Sequence, residues 1–329
     1  MVSSKVYPAL VKELPQGDGK VFVITGTTSG TGYFAARTVA AKGGTAVLLN
    51  RPSQRATDAL TKLQSEVPGA TFVPIDCDLQ SFDSVRKAIS EIKSKYTKIY
   101  CLANNAGIMA TPDEATVDGY DTQMQTNHLS HFLLTAELLP LLEAYAKENG
   151  DARVVNHSSI GRLGTKNKCL EKPYLEKNGG NLGGNSVTAM GGGACYERYY
   201  QTKLANSVFT YGLHNVLKEK GSKVKSIAAH PGVSSTSLAT HLVQGCFGQF
   251  MVNRILTPLF FQSAEDGAAG LLYGMMHPKA ESGILYGPAK DGFRGPAVPN
   301  HPPRDYEVDP DSIEMLWSTS EAATGAKLE

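Results

Sequence analysis

Tyr199 and Lys203 stand four residues apart in the stretch "ACYERYYQTKLAN" (194–206). On a helix, residues at that spacing share a face, so the lysine ammonium can lie beside the phenol. A free phenol with a pKa of about 10 is a poor base at neutral pH, and a nearby opposite charge lowers such a value by about 1–3 units. The pair is therefore a candidate for proton transfer. Tyr196 lies seven residues from the lysine and Tyr200 three, so neither has the same spacing. The other Tyr-x-x-x-Lys, Tyr286 to Lys290, contains Pro288, which forbids the helix that the pairing needs.

A second stretch with chemical meaning is "TGTTSGTG" (25–32). Gly26 permits a tight turn, Gly30 lets backbone N–H groups approach a phosphate, and Gly32 lets a following helix pack closely on the preceding strand. The end of the next apolar run decides which dinucleotide such a turn would hold. An acid there would accept ribose hydroxyls, whereas this chain reads "LLNRPSQR", with Asn50 in that place and Arg51 after it. Arg51, together with Arg55, can pair a 2′-phosphate, so NADP(H) is expected over NAD(H).

These residues need a frame. Apolar runs "KVFVIT" (20–25), "TAVLL" (45–49), "TFVPI" (71–75), "KIYCLA" (98–103), "ARVVN" (152–156) and "KVKSIAA" (223–229) alternate with stretches of helical period. That alternation predicts an α/β fold, a Rossmann-type doubly wound parallel sheet covered on both faces. Ser158 and Ser159 follow the fifth run, at the sheet edge where such folds form their ligand crevice. Ser81 reads as the N-cap of a helix through Tyr96. No polar linker divides the chain, so a single domain over residues 1–329 is expected. Its appendages are an insertion at about 163–195, a lid segment at about 236–262 and a C-terminal helical tail at about 288–329. Residues 178–193 hold seven glycines in sixteen positions and read as a flexible loop.

Thirty-two basic residues against thirty-one acidic ones give a net charge of +1, which draws the protein toward neither nucleic acid nor an anionic membrane. Cys77, Cys101, Cys169, Cys195 and Cys246 are widely spaced with no Cys-x-x-Cys, the pattern of a reduced, cytoplasmic protein without a zinc site. The most apolar window (242–261) carries Gln244, Gln249, Asn253, Arg254 and Pro258, so a transmembrane helix is not expected.

Taken in chain order, the glycine turn, "NNAG" (104–107), Asn127, Ser159, Tyr199-x-x-x-Lys203 and "HPGVSST" (230–236) resemble the short-chain dehydrogenase/reductase family over about residues 18–290. "YQTKLANSVFTYGL", "QSAEDGAAGLLYG" and "EMLWSTSE" look like its retinol-dehydrogenase-like branch. The resemblance implies Tyr199 as general acid/base, Lys203 as the cation that lowers its pKa, Ser159 as the group that holds the substrate oxygen, and Asn127 as the holder of a water in a proton relay. It implies that the dinucleotide lies along Gly26, Thr28, Ser29, Gly30, Thr31 and Gly32, with Arg51 beyond them. Asp78 and Leu79 would meet the adenine, and Asn105, Ala106 and Gly107 the adenosine side. Pro231, Gly232, Val233 and Thr236 would flank the nicotinamide and phosphates.

The implied reaction is NADP(H)-dependent hydride transfer to or from a hydrophobic carbonyl or alcohol. The alternatives are a C=C reductase resembling protochlorophyllide reductases, whose corresponding loop is also enlarged, and a non-catalytic dinucleotide sensor. Ser159 and Tyr199 are forty residues apart, farther than is usual in the family, and the extra length is the glycine-rich insertion. That insertion should add mobility to a lid whose apolar side chains are Phe247, Phe250, Met251, Leu256 and Phe260. His128 and His131, one turn apart, read as helix packing rather than metal ligands, and Met315 and Trp317 as docking groups of a terminal helix. Oligomeric state is left open.

Overall fold

The computed structural model describes residues 4–188, 191–232, 262–290, 292–300 and 302–328. Each of the six apolar runs forms a strand: β1 (Val21–Thr25), β2 (Thr45–Asn50), β3 (Phe72–Asp76), β4 (Cys101–Asn104), β5 (Ala152–His157) and β6 (Val224–Ala229). Two more follow, β7 (Ile284–Lys290) and β8 (Arg294–Pro299). The eight-stranded sheet has the order β3-β2-β1-β4-β5-β6-β7-β8. All neighbours are parallel except the last pair. Residues 286–290 are thus strand rather than helix, and β7 and β8 precede the helix of the stretch read as tail. Prolines hid β7 and β8, and the edge position of β8 is where a sheet tolerates them.

Helices α1 (Tyr7–Glu13), α2 (Gly30–Ala41), α3 (Gln54–Glu66) and α4 (Phe82–Lys95) lie in the first half, α4 capped by Ser81 through the Ser84 N–H as expected. A long helical rod then runs through α5 (Thr122–Met124), a π-helical turn at Gln125–Leu129 and α6 (Ser130–Asn149). The longest helix, α7 (Ala194–Glu219), buries residues on all sides. After it come α8 (Ala264–Gly267), α9 (Ala269–Met276) and α10 (Pro310–Thr324). Trp317 of α10 packs on Phe132 and Phe209, facing Gly212, where an added Cβ would come within 2.8 Å of its ring. The docking role expected of Trp317 is therefore what the structure displays.

Strand residues such as Phe22, Val23, Leu102, Val154 and Ile227 are fully buried, as a sheet covered on both faces demands. The chain order reverses between β1 and β4, and a crevice opens at the carboxyl ends of these strands.

The described part of the glycine-rich segment is mostly irregular, with an isolated antiparallel bridge between Thr188 and Gly192, and it is tied to its surroundings. Arg198 of α7, completely buried, donates from Nη1 to the Gly184 carbonyl (2.8 Å) and from Nη2 to the Thr111 carbonyl (3.0 Å). Asp113 accepts from the Leu182 N–H (2.8 Å) and the Gly184 N–H (2.7 Å), and Tyr200 donates to the Gly191 carbonyl (2.6 Å). The expectation of a mobile arm is corrected to an anchored one. The apolar lid side chains between 247 and 260, together with Val233 and Thr236, lie outside the described residues.

Candidate active site

Tyr199 and Lys203 are on α7 at the mouth of the crevice, both buried. The Lys203 ammonium sits 5.7 Å from the centre of the Tyr199 ring and donates to the His157 carbonyl at the end of β5 (2.9 Å). The Tyr199 phenol hydrogen-bonds Ser159, whose Oγ accepts from the Gly161 N–H (3.0 Å). Ser158, beside it, turns inward and donates to the Lys203 carbonyl (2.8 Å), so of the two serines only Ser159 meets the tyrosine. Tyr200 packs at a tilt against Tyr199, and Tyr196 against Tyr200, each with 6.0 Å between ring centres.

The electrostatics depart from the expectation. Burial pushes the Tyr199 phenol up to about 12, against the smaller lowering effect of Ser159, and burial pushes Lys203 down to about 8. Desolvation dominates both shifts, so Tyr199 is a neutral phenol at pH 7. The lowering of its pKa by Lys203 is not found in the chain alone.

Asn127 lies in the π-helical turn. Its Oδ1 accepts from the Ile108 N–H (2.8 Å), and its Nδ2 donates to the Ile108 carbonyl and to Thr202 Oγ1 (both 2.9 Å). Both amide hydrogens are thus used in fixing the loop after β4, and Oδ1 takes one of the two bonds that an amide oxygen can accept. His131 Nδ1 bonds the Asn127 carbonyl (3.0 Å) and its Nε2 bonds Thr25 Oγ1 (2.9 Å), while His128 bonds Asn206 and Ser320.

From this end a cleft of about 410 Å³ runs back to the end of β2. Its lining includes Gly26, Thr28, Ser29, Gly30, Thr31, Arg51, Asp78, Leu79, Asn105, Ala106, Gly107 and Pro231, besides Tyr199 and Lys203. Gly32 lies beneath it, where a Cβ would stand 2.3 Å from the Gly26 carbonyl oxygen. Gly26 and Gly30 have φ of +71° and +60°, the left-handed region open to glycine. A Cβ on Gly107 would lie 3.3 Å from Lys203 Nζ and 3.2 Å from Asn127 Oδ1, so a side chain there would press on both. Gly232, also left-handed, is forced by the Phe293 carbonyl oxygen, 2.3 Å from a Cβ there.

A nicotinamide dinucleotide fits these residues. Helix α2 starts without a side-chain cap, and its first-turn N–H groups suit the phosphates. Asn50 cannot take the role of a ribose-binding acid: its Oδ1 accepts from the Thr27 N–H and its Nδ2 donates to Thr27 Oγ1 (both 2.8 Å), clamping the turn instead. Arg55 donates to Ser29 Oγ at the same turn. Asp78 accepts from the Gln80 N–H (3.0 Å) on the facing wall.

One participant, His157, was missed in the sequence, and Asn105, expected on the adenosine side, holds it. Asn105 Nδ2 donates to the Thr25 carbonyl (2.8 Å), so its Oδ1 must accept both from Thr31 Oγ1 and from His157 Nδ1 (2.8 Å each), which fixes the His157 tautomer. Burial holds His157 far below the usual histidine range, hence neutral. Its place next to Ser158 was legible, but its pairing with Asn105, just after β4, was not.

Residues 20–170 match the model of the short chain dehydrogenase family. Polyprenol dehydrogenase of Homo sapiens is 30% identical over 270 residues, 81% of this chain and 76% of that protein. The chain belongs to the short-chain dehydrogenases. Retinol dehydrogenase 12 of Bos taurus is 29% identical over 313 residues, 94% of this chain and 88% of that protein. The crystal structure of an uncharacterized protein from Mycobacterium paratuberculosis superposes with a TM-score of 0.74 at 29% identity, covering 99% of this chain and 100% of that one. This short-chain dehydrogenase is thus an oxidoreductase of a family that binds NAD(P)(H). Among the described residues no helix is long and apolar enough to cross a membrane, and no His/Cys/Asp/Glu cluster could hold a metal ion.

Proposed function

We propose that the protein reduces a hydrophobic aldehyde or ketone with NADPH. The observation that carries this reading is the neutral Tyr199 phenol bonded to Ser159 at the end of a dinucleotide-lined cleft. A carbonyl oxygen that gains charge during reduction needs a proton donor, and a phenol held at about 12 keeps its proton across the physiological range. Ser159 and Tyr199 hold the substrate oxygen between them, and Tyr199 gives the proton. Lys203, anchored on the His157 carbonyl, fixes the ribose side and supplies positive charge as the phenolate forms. The bound nicotinamide supplies the hydride. Asn127 acts through the Ile108 loop, which it sets beside Gly107.

NADP(H) over NAD(H) is supported by the turn-clamping role of Asn50 and by the two arginines at the end of the cleft, Arg51 and Arg55. The apolar substrate is supported by the relatives named for polyprenol and retinol. The buried free thiols of Cys77, Cys101 and Cys195 favour a cytoplasmic setting.

Oxidation of NADPH is followed with acetaldehyde, nonanal and all-trans-retinal. Turnover should rise with apolar size, and Tyr199→Phe should lose roughly 10²–10⁴-fold while still binding NADPH. No turnover with any carbonyl, or an unimpaired Tyr199→Phe, would overturn the proposal.

A further inference from the structure

The C-terminal tail reaches the site through one buried ion pair. Glu307, in the short 3₁₀ turn Asp305–Glu307, and Arg162, in the turn Ile160–Leu163 that follows Ser159, pair at 2.7 Å from Oε1 to Nε. Both side chains are almost wholly buried, and Glu307 Oε2 accepts from the Arg304 N–H (2.9 Å). The other arm of the arginine fork donates from Nη1 to the Ser159 carbonyl (3.2 Å), which also accepts from the Arg162 N–H (3.1 Å). Ser159 is therefore held at its carbonyl by Arg162 and at its hydroxyl oxygen by the Gly161 N–H, leaving the hydroxyl proton as its one free rotor.

A buried pair is a poor source of stability, because desolvation of the two charges offsets their attraction and apolar replacements of similar volume serve as well or better. Its geometry points to a different use. We infer that Arg162 and Glu307 are positioning residues, which hold the Ser159 hydroxyl in register with Tyr199 and make the tail part of the active site. The inference rests on the catalytic reading of Ser159 and Tyr199. Neither residue lines the cleft, and the hydrogen bonds from Arg162 toward the site end on the Ser159 carbonyl.

The test replaces the pair together, as Arg162→Met/Glu307→Leu, so that no charge is left buried alone. Thermal stability and NADPH affinity should stay near wild type. Turnover of the best carbonyl should fall on the order of 10–100-fold, the cost of a small misplacement at a reacting centre, with KM little changed. In a Ser159→Ala background the same replacement should cost nothing further, because the group it positions is gone. An equal loss in that background, or wild-type turnover of the double variant, overturns the inference.

Hydrogen exchange at the Gly161 amide reads the positioning without turnover: it should accelerate in the double variant, and unchanged protection likewise overturns the inference. If Ser159→Ala alone turns over normally while Gly161 still exchanges faster in the double variant, the catalytic reading fails and the positioning stands. Should the double variant not fold, Arg162→Lys keeps the charge opposite Glu307 but cannot span both acceptors. It enters the same cycle with the same expected outcomes.

Discussion

Around Thr25 and Asn105 the turn that faces the dinucleotide is held by neutral groups, whereas the glycine-rich arm near Tyr199 is held by charge. In the first region Thr25 Oγ1 accepts from the Asn105 and Ala106 N–H groups (2.9 Å each), and Asn105, Thr31, His157 and His131 complete a network in which burial keeps both histidines uncharged, His131 near 4. In the second, Arg198 lies 3.3 Å from Asp121 and 3.7 Å from Asp113, yet Arg198 Nε, Asp121 Oδ2 and Asp113 Oδ1 make no directed hydrogen bond. A neutral amide network can be satisfied completely at small desolvation cost; a buried charged one is held by attraction that its misaligned atoms only partly use. The dinucleotide side should thus resolve substitutions into affinity, while the arm should resolve them into stability.

The largest break in that contrast is expected from Arg198→Met. It strips two buried carboxylates of their counter-charge and two arm carbonyls of their donor, and removing one partner of a buried pair costs about 3–5 kcal/mol. Protonation of Asp121, whose carboxyl burial already raises to about 6, would relieve part of this and hold the loss toward the lower end. Thermal melting should show the drop, and limited proteolysis should cut within 178–193 before the sheet unfolds. A stable, uncut variant would mean that the arm does not depend on its arginine.

A smaller effect sharpens the other side. Arg55→Ala should weaken NADPH by about 1.5–3 kcal/mol, the range for a hydrogen bond to a charged group, with NADH and the melting temperature nearly unchanged. Arg51→Ala should cost less, because Arg55 is the one tied to Ser29 of the glycine turn. Isothermal titration with both dinucleotides decides it; equal losses for the two cofactors would show that neither arginine reads a 2′-phosphate.

Much of the neutral region was readable from sequence. The six parallel strands, the glycine turn and the Tyr199–Lys203 spacing follow from local periodicity, and Ser159 from its place just past β5. The arm was not readable, because its logic is long-range: Arg198 sits between tyrosines in "YERYY" and reads as a surface residue, and its partners Asp113 and Asp121 lie in a polar loop far up the chain. Strands β7 and β8 escaped for a different reason, since Pro288, Pro296 and Pro299 argue locally against strand and only the position beside β6 or at the sheet edge makes them acceptable. The direction of the Tyr199 shift was also beyond sequence, because spacing reports a neighbouring charge but not the burial that outweighs it.

The smallest effect, and the most specific to the charged region, is a pH dependence. The Asp121 carboxyl is raised from 3.8 to about 6, by burial against the opposing pull of the Met124 N–H and Arg198. The folded state therefore holds this proton more tightly than the unfolded chain does. Its contribution to stability is present in full below about pH 4 and is lost as the pH rises through 6. Asp121→Asn keeps the acceptor that caps α5 through the Met124 N–H but removes the titration. In urea unfolding the stability of wild type relative to the Asn variant should fall on the order of 1–2 kcal/mol between pH 4 and 6, the part of the profile that belongs to this group. The buried histidines slope the other way, since the unfolded chain protonates His131 and His157 near the ordinary 6.5 while the fold disfavours their charged forms, so their contribution rises with pH over this interval and cancels in the comparison of the two profiles. An Asp121→Asn profile parallel to wild type would show that the arm, like the turn, is held without a titrating charge.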